Sequence, residues 1–199
     1  MNADGTMAKG KQLLNFAKKH KLKIGKIDDL IAYRLNKEKL IKLKKNSNIK
    51  IKNQNYNIKI FENLLDGSEN FALIKGNLKR NKKPRVRVIS SNIVKNYLMG
   101  EKLPNPFNKT IDYFKKYKDC VLIFIRDTNL KSVSETLRGY KSKKFYNNGQ
   151  DKLIKNYGIG AQIIKALNIN KMILVTRSKK KVVGLDGYGI KISKQEIIK

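Results

Sequence analysis

The stretch Asp151–Ile192, DKLIKNYGIGAQIIKALNINKMILVTRSKKKVVGLDGYGIKI, decides how the rest of the chain is read. Apolar residues recur at helical spacing from Leu153 to Leu167, and Met172–Thr176 is a short apolar strand. A lysine cluster, a second short helix and a last strand follow. A strand that empties into a basic turn is one way to build a phosphate site.

Working outward, the residues just before this stretch continue the pattern of alternating element types. Cys120–Ile125 is an unbroken apolar run, the signature of a strand buried on both faces. Asp127-Thr128-Asn129 opens a helical stretch containing Val133 and Leu137, and the polar segment Tyr140–Gly149 reads as a loop. Before Cys120, Pro104-Asn105-Pro106 is a break, and Thr110 is expected to cap a helix over Ile111–Lys118. Arg85–Ile89 alternates charged and apolar residues as a half-buried strand does. Phe71–Lys75 and Tyr56–Glu62 are further strands, with turns at Gly76-Asn77, Asp66-Gly67 and Asn53-Gln54-Asn55. Between Asn36 and Asn57 the apolar positions Ile41, Leu43, Ile49 and Ile51 keep a period of two, which argues for strands within a lysine-rich bridge. The expected class is α+β: a mixed or antiparallel sheet, or a small barrel in its central part, with flanking helices.

At the N-terminal end, Asp4-Gly5-Thr6 is a turn and Gln12–His20 a helix. Leu22, Ile24 and Ile27 suggest a short strand, and Asp28 caps a last helix over Asp29–Arg34. So few residues cannot bury both helices by themselves, so the segment reads as the end of something larger.

Composition narrows the function classes. The chain of 199 residues is 40% hydrophobic, enough for a folded core, and no run approaches the ~20 apolar residues of a membrane span. No signal-peptide pattern opens it, so a cytoplasmic protein is expected. Its single cysteine, Cys120, excludes an internal disulfide framework and any multi-cysteine metal site. The net charge of +31 invites a nucleic-acid reading. Yet the excess is lysine spread along the whole chain, not the arginine forks that read phosphates and bases, and basic–aromatic interleaving is missing. Drift toward lysine is the better account, and nucleic acid is not the expected partner.

Two resemblances then bear on function. Met1-Asn2-Ala3-Asp4-Gly5-Thr6-Met7-Ala8, Phe16-Ala17-Lys18-Lys19-His20, Leu22-Lys23-Ile24-Gly25 and Asp29-Leu30-Ile31-Ala32-Tyr33-Arg34 closely resemble the C-terminal end of 3,4-dihydroxy-2-butanone-4-phosphate synthase. That family makes the four-carbon unit of riboflavin from ribulose 5-phosphate with Mg²⁺. Its acidic metal-binding residues lie upstream of the matched part, so residues 1–36 are expected to be a tail without synthase activity and the chain a fragment of a longer protein. Residues 37–199 resemble GTP cyclohydrolase II. The matching runs are Phe71–Asn77, Arg87–Asn92, Tyr157-Gly158-Ile159-Gly160-Ala161-Gln162-Ile163, Thr176–Lys181 and Gly187-Tyr188-Gly189-Ile190. The resemblance implies opening of the guanine imidazole ring of GTP with release of formate and pyrophosphate. It also implies a Zn²⁺ held by three thiolates, which brings water's pKa to ~7.

The departures fall on that chemistry. Asn92 stands at the first zinc-cysteine position, Tyr97–Pro106 contains no cysteine, and Arg126-Asp127-Thr128-Asn129 replaces the family's E-G-R motif. Leu153 and Lys155 stand where active members carry an acid and an arginine, and the catalytic tyrosine region is rewritten around Arg138–Tyr146. No metal ligand and no catalytic residue is assigned; Cys120 and His20 read as structural and solvated residues. By resemblance, Arg87, Thr176 and Lys181 remain as nucleotide contacts, and a hydroxyl and an ammonium beside a helix start suit phosphate oxygens. The Gly158/Gly160 pair lacks a third glycine at dinucleotide spacing and fits close helix packing better. No cofactor is expected in this chain, GTP is the implied small-molecule partner, and a homodimer is the expected assembly. Three readings follow: a divergent cyclohydrolase II-like domain of riboflavin biosynthesis, a non-catalytic accessory domain of the synthase, or a basic nucleic-acid-binding module.

Overall fold

The computed structural model describes residues 5–25, 30, 33, 37–78, 83–90, 105–126, 150–179, 185 and 188–198, without the side chains of 150–157. The chain divides into two compact units, Met1–Arg34 and Leu35–Lys199.

The first unit carries α1 (Lys11–Lys19). Its end is a Schellman motif: Lys21, at φ 52°, donates to Lys18 O and Leu22 donates to Ala17 O. Leu13, Leu14 and Phe16 stay half exposed on this helix. Leu22–Gly25 continues as irregular chain, not the strand expected there, because the backbone groups of Lys21 and Leu22 are spent closing the helix. Ile27 to Asp29 and most of the following helix lie outside the described residues.

The second unit is built on one open sheet in the order β1-β2-β3-β5-β4-β6-β7. β1 (Ile41–Ile51) and β2 (Gln54–Asn63) form a hairpin. Its two loop residues, Lys52 and Asn53, both have positive φ (47° and 62°), the type I′ geometry that matches strand twist. The turn thus falls one residue before the position expected from Asn53-Gln54-Asn55. β3 (Glu69–Lys75) pairs antiparallel with β2 after a loop held by Asp66, whose carboxylate accepts from Ser68 N and Oγ.

From here the sheet is mixed and open; the small barrel is not formed. β4 (Arg85–Ser90) lies parallel to both β5 (Cys120–Ile125) and β6 (Lys171–Thr176), and β7 (Lys191–Ile197) runs parallel to β6. Parallel neighbours need crossovers, and two of these carry helices: α2 (Pro106–Phe114) lies between β4 and β5, and α3 (Gln150–Ala166) between β5 and β6. The first crossover steps one way along the sheet and the second steps back past β4. Right-handed crossovers in opposite directions put their helices on opposite faces. Accordingly Ile111 and Phe114 of α2 pack with Leu73, Ile89, Leu122 and Val175, whereas Ala161, Ile163 and Ile164 of α3 pack with Val86, Val121, Ile123 and Leu174.

α2 starts four residues before the expected Thr110 cap. Asn105 is the cap, its Oδ1 accepting from Phe107 N at 2.9 Å, and Pro106 takes the first helical position, where a missing N–H costs nothing. Thr110 is inside the helix, fully buried, and donates to Pro106 O. In α3 the YGIGAQ run acquires a mechanical explanation. A Cβ on Gly160 would lie 3.3 Å from Ile125 Cδ1 and 3.5 Å from Val88 Cγ1, so the glycine lets helix and sheet approach. Gln162, almost fully buried, accepts from Leu40 N and donates to Glu38 O, both at 2.9 Å, fixing the entry of β1. Asn168 closes α3 with φ 58° in a second Schellman motif.

Candidate functional site

In the parallel half of the sheet, the chain leaves β4 toward β5 on one side and leaves β6 toward β7 on the other. The strands on either side of such a reversal diverge at their carboxyl ends, and that crevice is where open α/β sheets bind ligands. Arg87 in β4 and Thr176 and Arg177 at the end of β6 flank it. The segments that leave these carboxyl ends, 91–104, 127–149 and 180–184, lie outside the described residues, and Lys181 with them.

Two arginines on the α2 side of β4 have opposite fates. Arg85 is neutralised. Its Nε and Nη2 donate to the two carboxylate oxygens of Glu196 on β7, at 2.8 and 3.1 Å, and its guanidinium lies 3.6 Å over the Tyr117 ring. Tyr113 Oη donates to the same carboxylate at 2.7 Å. Burial alone would raise the Glu196 carboxyl, but the bonds from Arg85 and Tyr113 hold it below its ordinary range. This cluster ties β4, β7 and α2 together and is structural.

Arg87, two residues on along the same face, is only 5% exposed, and its Nε and Nη1 are buried with no hydrogen-bond partner. Desolvation, helped by the like charge of Arg177, lowers its pKa to about 10. A guanidinium remains charged there at neutral pH. Buried donors without partners are rare in folded proteins, and each costs about 1–3 kcal/mol. A charged guanidinium with two unspent donors can donate to an oxyanion.

Thr176 Oγ1 is likewise buried without a partner. Its neighbours place it on the other face, since Leu174 belongs to the α3-side core and Val175 to the α2-side core. Arg87 and Thr176 therefore border the same crevice from opposite faces. Tyr188 adds a third orphaned group. Its hydroxyl is buried in the α3-side core without a partner, and burial pushes it up to about 12. No spacing in the sequence marks it, because only its place in the core makes the hydroxyl an orphan.

The donor set does not fit the family's zinc. Three thiolates are required, and the chain has one cysteine. Cys120 is fully buried at the start of β5, and burial raises its thiol to about 12, so it is neither ionised nor reachable. His20 lies at the end of α1 in the first unit. Among the described residues no three His, Cys, Asp or Glu side chains are grouped as metal ligands. Position 92 lies outside the described residues.

The GTP cyclohydrolase II family profile matches residues 42–197, from β1 to the end of β7. This chain belongs to the GTP cyclohydrolase II family. Its relatives include the riboflavin biosynthesis protein RibBA of Aquifex aeolicus, 31% identical over all of this chain and 52% of that protein. The 3,4-dihydroxy-2-butanone 4-phosphate synthase of Neisseria meningitidis is 30% identical over 96% of this chain and 52% of that protein. Among solved structures, RibBX from A. baumannii, a two-domain 3,4-dihydroxy-2-butanone 4-phosphate synthase, superposes with a TM-score of 0.68 at 25% identity. The match covers 100% of this chain and 52% of that one. The chain spans about half the length of the relatives it matches. Within this GTP cyclohydrolase II fold, no helix among the described residues is long and apolar enough to cross a membrane.

Proposed function

We propose that this chain is a cyclohydrolase II-type domain of riboflavin biosynthesis that holds a guanine nucleotide through its phosphates and does not carry out the zinc-dependent ring opening. The observation that carries this is Arg87: a buried, charged guanidinium at the β4–β6 junction whose Nε and Nη1 find no hydrogen-bond partner among the described residues. Family membership supplies GTP as the ligand, with Thr176 and Lys181 as further contacts, and the single buried thiol argues against a resident zinc. The test combines zinc content by elemental analysis, formate release from GTP, and GTP binding by titration calorimetry. The expected result is saturable binding without zinc and without formate. Stoichiometric zinc with turnover would refute the loss of chemistry, and absence of binding would refute the receptor.

A second reading has its own support. Two of the relatives are named as synthases although they share this domain, so the domain can accompany synthase activity. In that reading residues 1–36 are a synthase tail, and the domain supports folding or pairing of a synthase. Comparing synthase activity and oligomeric state of a longer polypeptide with and without residues 37–199 tests it. Unchanged activity and assembly would reject an accessory role.

A further inference from the structure

A cleft of about 380 Å³ opens on the α3 side of the sheet, between β1, β2 and the last turn of α3. It shares no residue with the Arg87 crevice, which lies on β4, beyond β3 and β5. Its floor is apolar: Ile41 and Phe61 are buried in the α3-side core and Leu43 remains half exposed above them. Its rim is cationic, and the lysines come from three separate elements. Lys37 and Lys39 precede β1, Lys59 is on β2, and Lys165 is in the last turn of α3. Glu38 supplies the single carboxylate of the lining, so four lysines against one acid leave a charge of +3.

Convergence of lysines from three elements on one apolar floor separates this cleft from the general lysine excess. The acids that pair with lysine elsewhere, Glu62 and Glu69 with Lys44 and Asp112 with Lys52 and Lys115, are engaged away from it; Lys37, Lys39 and Lys59 have no carboxylate partner among the described residues. Most of the carbonyls at the end of α3 are already spent. Ile163, Ile164 and Lys165 carbonyls all accept from the closing turn at Leu167–Ile169. Gln162 at the cleft wall has both amide atoms committed to the chain entering β1, so the wall is held rigid.

We infer that this cleft binds a small amphiphilic anion, an organic phosphate whose ring body lies on Ile41, Leu43 and Phe61 and whose phosphate is held by the surrounding lysines. An apolar floor with a few convergent charged groups is the usual composition of a small-molecule pocket, and the volume lies within the usual range. Lysines on flexible stems serve as point-charge phosphate donors and need no fixed fork geometry.

The test uses the full chain and 2-naphthyl phosphate as probe, followed by calorimetry at 0.15 M salt. Inorganic phosphate and 2-naphthol are the two half-ligands, and a short single-stranded DNA reports general charge. The probe is expected to bind at least about tenfold more tightly than either half-ligand. Lys39→Glu with Lys59→Gln should weaken it by about tenfold or more. Lys45→Glu with Lys191→Gln, the same charge change at exposed positions outside the cleft, should leave it unchanged. All four lysines lie on the surface or at the cleft rim, so neither pair removes core packing. Equal weakening by both pairs, inorganic phosphate binding as tightly as the probe, or DNA competing with the probe equally in both variants would overturn the assignment in favour of non-specific charge.

Discussion

Replacing Arg87 by methionine should make the protein more stable and less able to bind an anion. Methionine keeps a long flexible side chain in the same volume and removes the charge and the orphaned donors. The magnitude follows from the position of the titration. The guanidinium pKa falls from the ordinary arginine range to about 10, because the folded state disfavours its charged form. At about 1.36 kcal/mol per decade the full penalty is roughly 3 kcal/mol, and solvent screening of the head group brings it to ~1–2 kcal/mol. The sign is set by linkage. A base whose folded pKa is lowered destabilises the fold at every pH below that value and stops doing so only above it, so the whole penalty is present at pH 7. Arg87→Met should therefore gain ~1–2 kcal/mol in urea unfolding, or about 2–8 °C in Tm for a domain of this size. An anion that pairs with Arg87 stabilises the wild type by ~2.7 kcal/mol at a hundredfold excess over Kd. In the variant that increment, measured with GTP and with pyrophosphate, should largely vanish. An Arg87→Met protein that is less stable than the wild type, and that still gains the same increment from ligand, would refute the receptor argument.

The remaining predictions concern the frame around the crevice. Glu196→Gln should cost ~1–3 kcal/mol at neutral pH by stripping the partner from Arg85 and Tyr113. Because the Glu196 carboxyl is held below its ordinary range, its stabilisation is complete above about pH 4.5 and is lost as pH falls below it; the variant's stability should be flatter in that acid window. Gly76→Ala should destabilise by more than the ~1–2 kcal/mol of its positive φ (80°), since the new Cβ would overlap the Lys118 carbonyl and Asp119 Oδ1; equal urea midpoints would disprove the close approach. Cys120 should resist thiol reagents at pH 8 in the native protein and react as soon as it is unfolded, which time-resolved labelling reads directly.

Much of this molecule is legible from local pattern. Cys120–Ile125 was a strand by its unbroken apolar run, Arg85–Ile89 by its alternation, and Leu153–Leu167 a helix by its spacing, because burial imposes its period on each element separately. α2 starts at Asn105-Pro106 and not at Thr110 because an asparagine cap followed by proline at the first helical position is the stronger start signal. The strand expected at Leu22–Ile27 is absent over the described Leu22–Gly25, where helix closure takes the backbone bonds. The Gly-x-Gly run is explained, at Gly160, by packing against Val88 and Ile125.

Residue type and short-range spacing thus carried most strands and helices of the sheet unit and the family. Only the tertiary structure decided that β4 inserts between β5 and β6, which creates the crevice. It also decided that Arg85 is neutralised by Glu196, 111 residues away, while Arg87 on the same face keeps its charge and two donors without a partner among the described residues. The two arginines have the same chemistry and nearly the same local sequence. What separates them is which side chain a distant strand brings within 3 Å, and no periodicity along the chain encodes that distance.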